Sequence, residues 1–299
     1  MPPELITILG PTASGKTKIA AKLASRINGE IISADSRQLY LGMDIGTGKD
    51  LIEFQINNVN YHLIDIIEPF EEYNVFRFSK DFQSSFKLIT GKGRFPILVG
   101  GSGLYLSAVL QSYYLPEMSE LNDKEKLEKI SFTELKEILI KLKPKLHNTT
   151  DLKTKDRVVQ AILVEQSRKK ENKSKSGISS LNIGINQNRE ETKRKITERL
   201  KLRISNGMIE EVKALLQKGI SHEKLNSFGL EYKFISQHIE GKLTYNDMFQ
   251  KLNTAIHQFA KKQMTWFRKM EKEGVEINWF HPEQYDELEN FVISKLKNE

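Results

Sequence analysis

Residues 10–17 read "GPTASGKT" and follow directly on the apolar run "LITIL". The spacing from Gly10 through Gly15 to Lys16 and Thr17 is that of a loop whose backbone N–H groups cradle a phosphate. In such a loop Gly10, Pro11, Thr12, Ala13, Ser14 and Gly15 shape the cradle, with the donors of Thr12 to Thr17 aimed at the anion. Lys16 supplies a point charge, the Thr17 hydroxyl a ligand for Mg²⁺, and the helix starting near Lys16 its positive end. The loop reports a diphosphate-like group and leaves open whether that group belongs to a nucleotide.

A second constellation is "SADSRQLY" at 33–40, which closes the β-rich run "EIISA". Asp35 then falls just past the carboxyl edge of a strand beside the phosphate loop, where open α/β sheets place their ligands. Three roles suit it: a carboxylate in a magnesium shell, the N-cap of a following helix, or a general base. Ser36, Arg37 and Gln38 add groups able to hydrogen-bond a planar base or orient the carboxylate. An enzyme that hydrolyses ATP would also carry an apolar strand ending in Asp. The candidate strand, "FPILVGGSG" from Phe95, runs into glycines and Ser102 instead.

The elements that must position these groups follow from periodicity. β-rich runs at "LITIL", "EIISA", "YHLIDII" (61–67) and "FPILVGG" (95–101) alternate with amphipathic helical stretches from Lys16 and from Arg77. That alternation predicts a parallel sheet flanked by helices. From 116 to 180 the chain turns charged and helix-forming and ends in the polar run "SRKKENKSKSGISS". "LNIGIN" at 181–186 reads as a returning strand, and the remainder as mainly helix. The expected organisation is an α/β core of 1–115 and 181–299, with a P-loop NTPase-like sheet, interrupted by a mainly helical insertion at 116–180.

Composition narrows the classes. Apolar residues at 38% and charged residues at 28% exclude a disordered chain. A net charge of +7 favours a polyanionic partner without requiring one. The absence of cysteine removes disulfides and thiolate zinc sites. No run of about 18 apolar residues occurs and "MPPELITIL" is not a secretory leader, so the expectation is a cytoplasmic protein with no membrane association. A monomer is the default expectation.

Taken in order, "GPTASGKT", "SADSRQLY", "GMDIGTGK", "LVGGSGLY" and "QFAKKQMTWFRK" (258–269) resemble the tRNA dimethylallyltransferases, also called tRNA isopentenyltransferases. The resemblance implies that the loop holds the diphosphate of dimethylallyl diphosphate, with Mg²⁺ on Thr17. The allyl group passes to N6 of the tRNA adenosine on the 3′ side of the anticodon. Asp35 matches the family's general base and Arg199, in "KRKITERLKLRI", its diphosphate-stabilising arginine; Ser102 stands where relatives commonly have threonine. Ser36, Arg37, Gln38, Ser102, Asp156, Arg157, Gln160, Asn226 and Gly229 match positions that contact tRNA, as does Asp35.

Two segments depart from the family pattern. "HNTTDLKTKDRVVQAILVE" (147–165) keeps Arg157 but has Gln160 for a second arginine, and "NSFGLE" (226–231) has Leu230 and acidic Glu231 where relatives have tyrosine and a basic residue. Both departures touch RNA recognition more than diphosphate chemistry. Lys141, Lys143, Lys145, Lys153 and Lys155 are candidates for gripping the RNA backbone. The stripe Phe259, Gln263, Trp266 and Met270 recurs at helical spacing and reads as core packing. Two other classes remain open from the residues: a P-loop kinase of a nucleoside or small metabolite, and a nucleotide-sensing RNA-binding regulator.

Overall fold

The computed structural model describes residues 2–111, 126–142, 155, 158–159, 161–163 and 178–297. The chain divides into two compact units, one formed by Met1–Leu106 with Ile178–Glu299 and the other by Ser107–Gly177.

The first unit is built on a six-stranded sheet: β1 (Leu5–Leu9), β2 (Gly29–Ala34), β3 (Tyr61–His62), β4 (Phe95–Gly100), β5 (Ser180–Ile185) and β6 (Asn278–Phe280). The order is β3-β2-β4-β1-β5-β6 and every pairing is parallel. β1 lies at the centre with all five residues buried, as the unbroken apolar "LITIL" requires of a strand covered on both faces. Helix α1 (Lys16–Arg26) packs Ile19, Ala20, Leu23 and Ala24 into the core that also takes Leu288 and Val292 from the C-terminal helix. This is the predicted α/β architecture of a P-loop NTPase-like fold.

The predicted strand at 61–67 is shorter than expected. Only Tyr61 and His62 join the sheet. Leu63 and Asp65 then take positive φ of 61° and 54°, which turns the chain, and Ile67 meets Tyr40 in an isolated bridge. Apolar content alone did not reveal that reversal. β6, unforeseen in the sequence, adds a parallel edge beside β5.

Register brings the functional loops together. Leu9 pairs with both Gly100 and Gly184, and Ala34 pairs with Gly100. The segments leaving β1, β2, β4 and β5 therefore emerge side by side at the carboxyl edge of the sheet. Gly100 is required there by close approach, since a Cβ would run into the Ala34 carbonyl.

Before β5 come α2 (Leu51–Ile56), α3 (Val75–Gly91) and α4 (Gly103–Leu110), and after it α6 (Arg189–Ser205), α7 (Met208–Gln217), α8 (His222–Phe228), α9 (Leu230–Ile239), α10 (Tyr245–Lys272) and α11 (Tyr285–Lys297). Met43, Ile196, Leu200, Val212, Tyr232, Leu252 and Ile256 make a second core between these later helices. In the Ser107–Gly177 unit, α5 (Phe132–Leu142) buries Leu135 and Leu139 with Leu127, Val158 and Ile162. Lys141 is exposed, and Lys155 donates to the Glu128 carbonyl at 2.6 Å. Asp156, Arg157, Gln160, Lys143, Lys145 and Lys153 lie outside the described residues.

Candidate active site

The loop after β1 ends at Gly15, whose φ of 80° is left-handed and costs glycine little, and α1 begins at Lys16. Ala13 also has positive φ, at 64°. Two glutamines hold this stretch. Gln263 of α10 accepts from the Thr12 N–H at 2.8 Å, and Gln187, just past β5, donates to the Ala13 carbonyl at 3.2 Å. The Arg199 guanidinium of α6 donates to the Thr12 hydroxyl. With the Ser14 N–H turned to the Pro11 carbonyl at 3.3 Å, the cradle donors without a partner among the described residues narrow to the amides of Ala13, Gly15, Lys16 and Thr17. Ser14 Oγ is buried with no hydrogen-bond partner among the described residues. Such a group can bond a water or a ligand atom entering the cradle.

Charge tells the same story. Burial lowers the Lys16 pKa to about 8; Asp35 and Asp50 pull it back up, and Arg199 and Arg203 push it further down. Arg199 is lowered to about 10, again first by burial and then by Arg203. Among the described residues neither cation has a carboxylate within ion-pair distance. Two desolvated positive charges beside amides without partners among the described residues have the chemistry to receive a multiply charged anion.

Thr17 stands partly buried in the first turn of α1 with no hydrogen-bond partner among the described residues. No group of three or more His, Asp or Glu that could hold a metal occurs among them. Mg²⁺ keeps several waters and shares phosphate oxygens, so a single protein hydroxyl beside a diphosphate suits it. The residues fit the ion.

Asp35 follows β2 and leads into a turn, not a helix; the next helix is α2. The N-cap reading is thereby replaced: one Asp35 oxygen accepts from the Arg37 N–H at 3.0 Å, closing an Asx-turn. Its other oxygen has no hydrogen-bond partner among the described residues. Ser102 Oγ accepts from the Ser36 N–H at 3.0 Å and lies 3.3 Å from Ser36 Oγ, while the Ser102 N–H donates to the Ala34 carbonyl at 3.2 Å. The loop after β4 thus fastens the loop that carries Asp35. Gln38 reaches elsewhere, accepting from Ser33 Oγ and donating to the Gly48 carbonyl, each at 3.1 Å.

The segment 226–231 is split by the geometry. Gly229, at φ 141°, lies against the Arg37 guanidinium, which a Cβ would strike. Asn226 is exposed. Glu231 turns inward: it pairs with Arg37 at 3.1 Å and approaches Arg203 at 4.0 Å. Arg37 also lies over the Phe259 ring, 5.0 Å from its centroid.

Gln187 is not singled out by the sequence, and Gln263 reads there only as part of a packing stripe. Their signal was a polar side chain in a buried position, most visibly Gln263 within an apolar helical stripe. Glu211 was equally hidden: it accepts from the N–H groups of Asp44, Ile45 and Gly46 at 2.8, 2.6 and 3.0 Å and from Tyr232 Oη at 2.7 Å. Lys49 completes that segment, its ammonium bound to Asp44 at 2.7 Å, to the Tyr40 carbonyl at 2.7 Å and to Asp65.

Among the described residues, no helix is long and apolar enough to cross a membrane. Residues 38–270 match the model of the IPP transferase family, and residues 3–61 match the isopentenyl transferase model. The chain is 50% identical to tRNA dimethylallyltransferase 2 of Bacteroides fragilis, covering 98% of each chain. It is 49% identical to tRNA dimethylallyltransferase 2 of Citrifermentans bemidjiense, over 93% of this chain and 90% of that one. The crystal structure of the tRNA isopentenylpyrophosphate transferase of Bacillus halodurans superposes with a TM-score of 0.72 at 31% identity, covering 98% of this chain and 96% of that one. With a phosphate cradle and a carboxylate converging on one sheet edge, and these likenesses spanning nearly its whole length, the chain belongs to the IPP transferase family.

Proposed function

We propose that this protein is a tRNA dimethylallyltransferase of the cytoplasm, acting as a monomer. It transfers the dimethylallyl group of dimethylallyl diphosphate to N6 of the adenosine 3′-adjacent to the anticodon and releases inorganic diphosphate. The observation that carries this reading is the pairing of a cradle whose two cations, Lys16 and Arg199, have no carboxylate within ion-pair distance among the described residues with a carboxylate, Asp35, whose second oxygen has no hydrogen-bond partner among them.

The chemistry follows from those groups. An adenine amine is a weak nucleophile because its lone pair is delocalised into the ring, so removing its proton as the new bond forms lowers the barrier. The free Asp35 oxygen takes that proton while N6 bonds to the allylic carbon. The bond from that carbon to the diphosphate oxygen breaks, and its electron pair leaves with the diphosphate. Lys16, Arg199 and the amides of Ala13, Gly15, Lys16 and Thr17 stabilise the charge that develops on the leaving group. Mg²⁺ held by Thr17 and the diphosphate would supply further neutralisation of that charge.

The base must first leave the anticodon stack, at a cost of a few kcal/mol. Ser36, Arg37 and Ser102 lie beside Asp35 and are the groups that would receive it, with Gln38 holding the loop through Ser33 and Gly48; Gly229 lets Arg37 pass close. Asp156, Arg157, Gln160 and Asn226 would add contacts to the RNA. The test is incubation with Mg²⁺, labelled dimethylallyl diphosphate and unmodified tRNA, with and without ATP. Label in tRNA independent of ATP is expected. ATP consumption with a phosphorylated small molecule and unlabelled tRNA would replace this reading with a kinase.

A further inference from the structure

The stripe on α10 holds one residue that packing does not explain. Gln263 is 7% exposed, and both ends of its amide bind backbone groups, each from a separate loop. Oε1 accepts from the Thr12 N–H at 2.8 Å, and Nε2 donates to the Gly101 carbonyl at 2.9 Å. The neighbouring stripe residues attach the same helix to the same edge: Trp266 packs where Gly103 leaves room, and Phe259 lies beneath Arg37. A Cβ at Gly101 would collide with Gln263 Nε2, so the close approach is built from both sides.

A continuous path results. Thr12 in the cradle is joined through Gln263 to Gly101; the next residue, Ser102, accepts from Ser36, whose neighbour is Asp35. We propose that Gln263 is a positioning residue, whose single amide sets the distance between the anion cradle and the loop bearing Asp35. The proposal deepens the transferase reading and rests on it for its kinetic part. A rigid spacer matters because the allylic carbon and the attacking nitrogen must meet at near-contact distance, and a displacement of about 1 Å costs on the order of 100-fold in rate.

Two substitutions separate positioning from packing. Gln263→Met keeps the volume and removes both hydrogen bonds. Gln263→Glu keeps an acceptor for Thr12 but places an oxygen against the Gly101 carbonyl, so the cradle stays held while the link to Ser102 is lost. In the full-length protein with dimethylallyl diphosphate and tRNA, both variants are expected to lose about 100-fold in kcat with KM for the diphosphate donor changed less than about threefold.

A second readout does not depend on turnover. Adding inorganic diphosphate to the wild type should slow hydrogen exchange at the Ser36 amide, and this response should vanish in Gln263→Met and Gln263→Glu. Retained kcat, or an unchanged Ser36 response in both variants, would overturn the proposal. So would a loss of activity explained entirely by a fallen Tm. If the wild type transfers no prenyl group, the transferase reading fails and the exchange experiment alone decides the role of Gln263.

Discussion

The two sides of the site are made differently. The cradle is contiguous in its donors: residues 10–17 carry their own glycine, lysine and threonine from the end of β1 into the first turn of α1, and Gln187, Arg199 and Gln263 reach in to brace them. The acceptor side is assembled from distant pieces, with Asp35 and Arg37 from the end of β2, Ser102 from the end of β4, Glu231 from α9 and Phe259 from α10. A contiguous site owes its shape first to local backbone conformation and only its fastening to packing. An assembled one owes its shape to packing, and is where a family member can change its RNA partner without disturbing its donor chemistry.

The contrast breaks most sharply at Asp35. Asp35→Ala is expected to lower transfer at least ~1000-fold, within the range removed with a general base, while diphosphate affinity by calorimetry changes less than about threefold. Comparable activity in variant and wild type would take the proton-accepting role away from Asp35. On the cradle side, Lys16→Ala should weaken inorganic diphosphate binding by ~100-fold, as expected for a charge-assisted contact in a desolvated site. Undiminished affinity would show that the anion sits elsewhere.

Glu231→Gln sharpens the comparison from the assembled side. It leaves the Arg37 and Arg203 guanidinium groups without their carboxylate. The expected result is a KM for tRNA raised by about tenfold, in line with a lost charged hydrogen bond, with KM for the donor unchanged. A shift in the donor KM alone would place Glu231 functionally with the cradle.

The smallest effect is in pH. Burial holds the Lys16 pKa near 8 in the free protein, against 10.5 ordinarily, so between about 8 and 10.5 the folded chain binds fewer protons than the unfolded one. Stability from this group therefore rises with pH across that window. Diphosphate needs the charged amine, so binding takes up a proton there, and affinity falls by at most about tenfold per pH unit above 8. Calorimetry in buffers of different ionisation enthalpy measures the uptake; zero uptake at pH 9 would contradict the assignment.

What the sequence disclosed follows the same division. Strand, loop and helix around Lys16 were legible because glycine spacing and flanking apolar runs are local signals. The reversal at Leu63 and Asp65 was not, since positive φ in non-glycine residues leaves no pattern. The inward turn of Glu231 could not be read either, because its partners Arg37 and Arg203 are 194 and 28 positions away and only folding brings them close. Gln263 was visible as a residue and invisible as a bridge, for its partners Thr12 and Gly101 belong to two other loops.

The central claim is that the cradle anchors a leaving diphosphate and not the triphosphate of a phosphoryl donor. Its most direct measurement is a single-turnover reaction of the purified protein with Mg²⁺, dimethylallyl diphosphate and unmodified tRNA in the absence of ATP, counting inorganic diphosphate released against N6-prenylated adenosine formed. The account predicts one diphosphate for each modified adenosine, with both products lost together in Lys16→Ala. Diphosphate-free reaction mixtures with unmodified tRNA, alongside ATP turnover when ATP is supplied, would contradict it.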